Sequence, residues 1–216
     1  MKKEIEAMRK SYTLAGLDQS EADSSPFRQF TKWFQEAQEG DLPSWFEVNA
    51  MTLSTADLEG HVTNRIVLLK QFDESGFTFF TNYMSHKGQQ LAANPHAALC
   101  FFWPHLERQI RITGTVNRVA SEISDQYFAS RPRDSQLGAL ISTQSSPLAD
   151  RSTMETAFQR YQKEFEGQPI PRPDHWGGYL LKPTEIEFWQ GRPSRLHDRI
   201  RYQNQNDQWT IDRICP

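Results

Sequence analysis

In the run Arg195-Leu196-His197-Asp198-Arg199-Ile200-Arg201-Tyr202, Arg195, His197, Arg199 and Arg201 have one parity and the four residues between and after them the other. An extended chain would put three guanidiniums and an imidazole on one face. Like charges at such spacing oppose one another unless an anion lies among them. The competing reading is a solvated edge strand whose charge guards against aggregation. The segment alone weighs the two equally.

Three other constellations suit anions. Ser85 opens a run to Asn94, stopped before Pro95, that predicts a short helix with His86 and Lys87 in its first turn. The helix dipole disfavours cations there unless an anion shares the place, where free amides and the Lys87 ammonium would hold a phosphate. Two solvated side chains at a helix end are the plainer explanation. In Arg65-Ile66-Val67-Leu68-Leu69-Lys70, strand alternation sends Arg65 and Lys70 to opposite faces, so they need not serve one anion; long stems reaching water are the alternative. Tyr127 and Arg131 share a helical face one turn apart, with Ser135 just beyond Pro132. A phenol, a guanidinium and a hydroxyl suit a phosphate monoester, although Arg131 could equally pair with Asp134 at the surface. The six histidines show no HExxH or comparable ligand spacing and no G-x-S-x-G elbow occurs, so metal and serine-hydrolase chemistry find no support.

The elements that must position these groups follow from periodicity. A helical rhythm over about residues 2–14 is interrupted by Gly16 and the polar run Gln19 to Ser25, which predicts an appended, mobile arm over residues 1–20 and a single domain over 21–216. A helix after Pro26 presents Phe27, Phe30, Trp33, Phe34 and Ala37 on one face. Short β-rich runs follow at Val48 to Thr55, Val62 to Gln71, Phe77 to Thr81, Ala97 to Trp103 and Gln109 to Val116. A helix after Ser121 should end near Pro132, and a stronger one should open at Ser152 with Glu155 completing a capping box. Strands at Gly178 to Leu181, Glu185 to Gln190 and Arg199 to Gln203 complete the pattern, the last paired with Gln208 to Ile214. This is not the strand-helix alternation of a doubly wound sheet, and Rossmann and P-loop glycine fingerprints are absent. A closed or partly closed antiparallel barrel, mainly β with peripheral α-helices, fits better.

The 216 residues suit one ordinary domain, and a net charge of -3 gives no global field for nucleic acid or anionic membrane. Any anion site is therefore local. Cys100, inside an apolar run, reads as a buried reduced thiol, and Cys215 stands far from it. The amino terminus lacks the apolar stretch of a secretion signal and no window approaches membrane-spanning length, which predicts a cytoplasmic protein.

Taken together, RIVLLK at 65–70, FTNYMSHK at 80–87, ERQIRITG at 107–114, SRPRDSQLGA at 130–139, QSS at 144–146, HWGGY at 175–179 and IEFWQGRPSRLHDRIRY at 186–202 resemble the pyridoxamine/pyridoxine 5'-phosphate oxidase family, from about Met8 to Pro216. The resemblance implies an FMN-binding split β-barrel and a homodimer with FMN in two interface sites. It further implies oxidation of pyridoxamine 5'-phosphate or pyridoxine 5'-phosphate by O2 to pyridoxal 5'-phosphate. On the same comparison, Arg65, Ile66, Val67, Leu68, Leu69, Lys70, Phe80, Thr81, His86, Lys87, Gln109, Gln144, Ser145, Trp189 and Arg199 would hold FMN. Lys70, Tyr127, Arg131 and Ser135 would clasp the substrate phosphate. Arg195 and His197 would be catalytic and, with Leu196, would contact the vitamer, while Arg9, Lys10, Ser11 and Tyr12 of the arm would add to substrate binding. The family usually carries Arg where this chain has His86, and an imidazole cannot reproduce a guanidinium fork. Two rival readings are a flavin reductase on the same scaffold and a noncatalytic carrier or sensor of pyridoxal phosphate.

Overall fold

The computed structural model describes residues 2–8 and 10–216, the side chains of residues 2–4 excepted. In chain order the elements are α1 (Lys2–Ala7), α2 (Pro26–Ala37), β1 (Ala50–Ala56), β2 (Val62–Leu68), β3 (Gln71–Asp73), β4 (Gly76–Asn82), α3 (His86–Ala93), β5 (His96–Trp103) and β6 (Arg108–Arg118). There follow α4 (Ser121–Ser130), α5 (Arg133–Ile141), α6 (Arg151–Glu164), β7 (Trp176–Gln190), β8 (Asp198–Gln205) and β9 (Gln208–Arg213). The strands form one sheet in the order β2-β1-β5-β6-β7-β4-β3, with β8 paired to β7 and β9 to β8. The described registers of β3 with β4, β4 with β7, β7 with β8 and β8 with β9 are antiparallel. This is the mainly β class with peripheral helices that a split barrel requires. No helix among the described residues is long and apolar enough to cross a membrane.

The chain resolves into two compact units. The first comprises residues 1–53, 98–114 and 183–216. Its core is aromatic: Phe30 of α2 meets Phe101 edge-on at 5.3 Å and Trp33 meets Phe188 at 5.2 Å. Each ring so buried contributes roughly 1.5–3 kcal/mol through removal from water. Ser25 caps α2, accepting the Arg28 amide, and Pro26 occupies the first turn, where its missing N–H is harmless. The second unit comprises residues 54–97 and 115–182 and packs Phe128, Leu137, Ile170 and Trp176 beneath Phe80 and Tyr127.

Several expectations require correction. The first helix stops at Ala7 rather than near residue 14, and the Thr13 and Leu14 amides bond to the Glu107 carboxylate instead of within a helix. The helix after Ser121 does end near Pro132, at Ser130, but a further helix that was not expected, α5, starts directly after it with Pro132 at its N-cap position, where a fixed φ of -52° is harmless. The cap of α6 is Asp150, whose side chain accepts the Ser152 amide, and not Ser152. The two strands expected across 178–190 are one continuous strand, β7. Its pairing with β4 ends at Leu181 and its pairing with β8 begins at Glu185, so Pro183 lies where those partners change and no bond to either is lost. Cys100 is half-buried, not buried, although burial still pushes its thiol pKa up.

Candidate functional site

The second unit holds a cavity of about 1070 Å³, at the upper end of what small-molecule sites occupy. Arg65, Lys70, Lys87 and Arg131 line it together with His86, and no Asp or Glu does. Alternation fails to separate Arg65 from Lys70: β2 ends at Leu68, before Lys70 is reached, and both residues line this one cavity. That corrects the opposite-face expectation.

At one part of the wall, α3 begins. Ser85 accepts the Gly88 amide and donates its own hydroxyl to the Asn82 carbonyl at 2.7 Å, fixing the helix start. Gly88 is required for this close approach, since a Cβ there would lie 2.2 Å from the Tyr83 carbonyl oxygen. Lys87 folds back and donates to Thr81 Oγ1 (3.2 Å), Ser85 Oγ (3.2 Å) and Gln144 Oε1 (3.1 Å), all uncharged. Burial, and then the nearby Arg65 charge, pull its pKa down to about 8. Arg65 donates to the hydroxyls of Thr55 (2.7 Å) and Thr63 (2.6 Å), and both hydroxyls donate in turn to Gln90 Oε1 on α3. Burial lowers the Arg65 pKa as well. Two desolvated cations that donate to uncharged oxygens are the electrostatic complement of a phosphate. His86 is exposed and also lines this wall.

Farther along the lining, Tyr127, Arg131 and Ser135 converge as their spacing predicted. The Arg131 guanidinium carbon lies 4.5 Å from the centroid of the Trp176 ring, and Phe80 stacks on Tyr127 at 4.0 Å between centroids. Arg131 Nη1 is buried without a hydrogen-bond partner, an arrangement that costs about 1–3 kcal/mol unless a ligand supplies an acceptor. Burial also pulls the Arg131 pKa down. The alternative pairing of Arg131 with Asp134 does not account for this orphaned nitrogen. Ile66, Val67, Leu68, Phe80, Thr81, Gln144 and Ser145 share the lining, whereas Leu69 is a core side chain outside it.

The first unit carries a separate cleft of about 690 Å³ with Lys10, Ser11, Tyr12, Arg195 and His197 on its walls. His197 packs against Trp189 at 4.6 Å and Tyr12 at 5.8 Å. Its Nδ1 accepts the Arg192 amide at 3.1 Å, so the neutral ring keeps its proton on Nε2. Ser194 and Arg195 hold φ of 57° and 63°, a left-handed turn that ends the regular backbone and brings Arg195 into the cleft. The parity expected from Arg195 to Arg201 therefore applies only from Asp198 onward, where β8 starts. There Arg199 makes a two-pronged ion pair with Glu187 at 2.7 and 3.0 Å, and Arg201 pairs with Asp212. Burial pushes the Glu187 carboxyl up, but hydrogen bonds from Arg199 and Arg111 outweigh it and the net pKa is lowered. Leu196 is exposed and Gln109 half-buried on β6; neither lines a cleft, and Arg9 lies outside the described residues. Asp57, Glu59 and His61 gather in the β1–β2 turn with metal-ligand types, away from either lining.

Sequence reasoning missed Thr55, Thr63 and Gln90, which orient Arg65, and Trp176, which carries Arg131. Only the HWGGY motif pointed to the last.

A family model described as pyridoxamine 5'-phosphate oxidase matches residues 41–164, and one described as pyridoxine 5'-phosphate oxidase C-terminal dimerisation region matches 176–216. The pyridoxine/pyridoxamine 5'-phosphate oxidase of Nostoc punctiforme is 54% identical, with 100% of each chain covered. That of Rhodopirellula baltica is 52% identical, covering 98% of this chain and 96% of the relative. Among solved structures, PhzG from Burkholderia lata, in complex with tetrahydrophenazine-1-carboxylic acid, superposes with a TM-score of 0.87 at 26% identity, covering 96% of this chain and 100% of that one. A pyridoxamine 5'-phosphate oxidase-related, FMN binding protein from Nostoc punctiforme shares the fold at a TM-score of 0.71 and 20% identity, covering 89% and 98%.

Proposed function

The chain belongs to the pyridoxamine 5'-phosphate oxidase family, and on that premise we propose that it oxidises pyridoxamine 5'-phosphate and pyridoxine 5'-phosphate to pyridoxal 5'-phosphate. The observation that carries this reading is a cavity lined by two arginines and two lysines and no carboxylate, with a buried Arg131 nitrogen lacking an acceptor. Such a wall matches phosphate monoesters and would reject a neutral alcohol of the same shape.

FMN, when bound, supplies a two-electron acceptor that passes its electrons to O2 to give H2O2. Arg65 and Lys87, with the α3 amides and Thr81, Gln144 and Ser145, are suited to hold its phosphate. His86 would add to that grip, and the backbone from Ile66 to Leu69 and the Phe80 side chain would form the rest of the pocket. Lys70, Tyr127, Arg131 and Ser135 hold the phosphate of the substrate. Arg195 positions the vitamer ring, and His197, with its proton on Nε2, donates a hydrogen bond that orients it. Gln109, Trp189 and Arg199 belong to the flavin contacts in this reading, and Lys10, Ser11 and Tyr12 to the substrate cover. The alcohol substrate loses two hydrogens to O2, giving aldehyde and H2O2; the amine substrate also takes up water and releases ammonia. A homodimer, supported by the match to the dimerisation region, and a cytoplasmic location belong to the same proposal.

The phosphate clasp is tested by comparing pyridoxine 5'-phosphate with pyridoxine. The unaltered protein should prefer the phosphorylated form by at least about 100-fold in kcat/KM, and Arg131→Ala should cut that preference by roughly 10- to 100-fold while FMN content stays the same. Equal use of both vitamers would exclude the clasp.

A further inference from the structure

We propose that Glu107 is a positioning residue for the reaction: its carboxylate anchors the N-terminal strap, residues 11–17, and so holds Tyr12 against His197. Glu107 lies in the turn between β5 and β6 at φ 54°, a left-handed conformation unfavourable for a glutamate, and only 3% of its surface is exposed. A buried acid on a strained turn needs a reason. Its Oε2 accepts the amide of Thr13 at 2.8 Å and that of Leu14 at 3.1 Å. No described lysine or arginine forms an ion pair with it. The backbone of the strap therefore supplies what a counter-ion would otherwise supply.

The same residue grips the exit of β7. Its carbonyl accepts the Gly191 amide at 2.8 Å and the Gln190 side-chain amide at 3.3 Å. One residue thus joins the strap to the start of the segment that carries Arg195 and His197. Tyr12 immediately precedes the anchored amides. Its ring stands 5.7 Å from Trp189 and 5.8 Å from His197, and it lies over Gly191, where a Cβ would come within 2.7 Å of Tyr12 Cγ. Asp198 adds a second tether by accepting the Leu17 amide at 3.0 Å, and Arg192 donates to the Ala15 carbonyl at 3.0 Å. If the strap left, the Glu107 carboxylate would lose both donors in a buried place. Docking of the strap and satisfaction of that charge are one event.

The inference rests on the functional reading for Tyr12 and His197, and its test separates the two. The FMN-loaded enzyme and its Glu107→Ala, Glu107→Gln and Leu14→Pro variants are compared by KM for pyridoxine 5'-phosphate and by the rate of tryptic cleavage after the exposed Lys10. Glu107→Ala should raise both at least about tenfold, since both charge-assisted contacts to the strap are lost, with FMN content unchanged. Glu107→Gln keeps an oxygen acceptor and should restore most of each. Leu14→Pro removes one amide without touching the core and should shift both in the same direction, which keeps the test decisive should Glu107→Ala not fold. Values within twofold of the unaltered enzyme for Leu14→Pro and Glu107→Ala, or a glutamine variant as impaired as the alanine one, overturn the anchor. An unaltered protein that oxidises neither vitamer overturns the functional reading alone; the cleavage rates then still decide whether Glu107 anchors the strap.

Discussion

Lys87 shows how far burial can move a cation when only neutral oxygens surround it. Its pKa of about 8 lies below the 10.5 of an exposed lysine, through desolvation first and Arg65 second. Between those two values the unfolded chain binds the proton more than the folded chain, so this group makes the ligand-free protein more stable as pH rises from about 8 to 10.5. A phosphate dianion reverses the balance by favouring the charged form. FMN affinity should therefore fall as pH climbs through about 8, by up to roughly tenfold per pH unit, in fluorescence-quenching titrations. Equal affinity at pH 7 and pH 9.5 would remove Lys87 from the phosphate site. At the other cleft, Arg195→Ala should lower turnover by at least about tenfold while retaining FMN, and parallel loss of both would deny Arg195 its place beside the reacting ring. These cations were legible in the sequence because each sits in a short motif. Their orienting partners were not: Arg65 depends on Thr55, Thr63 and Gln90, which meet only after β1, β2 and α3 have packed.

Helix α3 is the element on which the end of the cavity proposed for the flavin depends. Its start was readable from Ser85 and its stop from Pro95, because caps and prolines act locally. The need for Gly88 was not, since it arises from the Tyr83 backbone 2.2 Å from where a Cβ would be. Gly88→Ala should displace the helix start, and FMN should be lost more readily than the fold; dialysis followed by a thermal melt distinguishes the two. Full FMN retention would mean that α3 tolerates the shift. Ser85→Ala should cost about 1 kcal/mol of stability through the lost cap. Helix α5 and the long β7 escaped the sequence reading for related reasons. Proline starts helices as readily as it ends them, and a strand can run through a proline where its neighbours change.

Across the whole molecule the net charge of -3 conceals two local concentrations of positive charge, and neither cleft has an acidic lining residue. Composition could exclude a nucleic-acid field but could not reveal such clefts, since balancing acids such as Glu187 and Asp198 bond to arginines without themselves lining either cleft. The class of fold was legible from short strands and short connections; the partition into two units was not, because β1, β5, β6 and β7 each contribute residues to both. The central claim is that these clefts serve a flavin-dependent oxidation of phosphorylated B6 vitamers. It is tested most directly by recording the visible spectrum of the purified protein, adding FMN if colourless, and measuring H2O2 formed from pyridoxine 5'-phosphate and pyridoxamine 5'-phosphate. The account predicts a bound-flavin spectrum and one H2O2 for each pyridoxal 5'-phosphate formed. A protein that FMN cannot reconstitute, or one that holds FMN and yields no peroxide with either substrate, would contradict it.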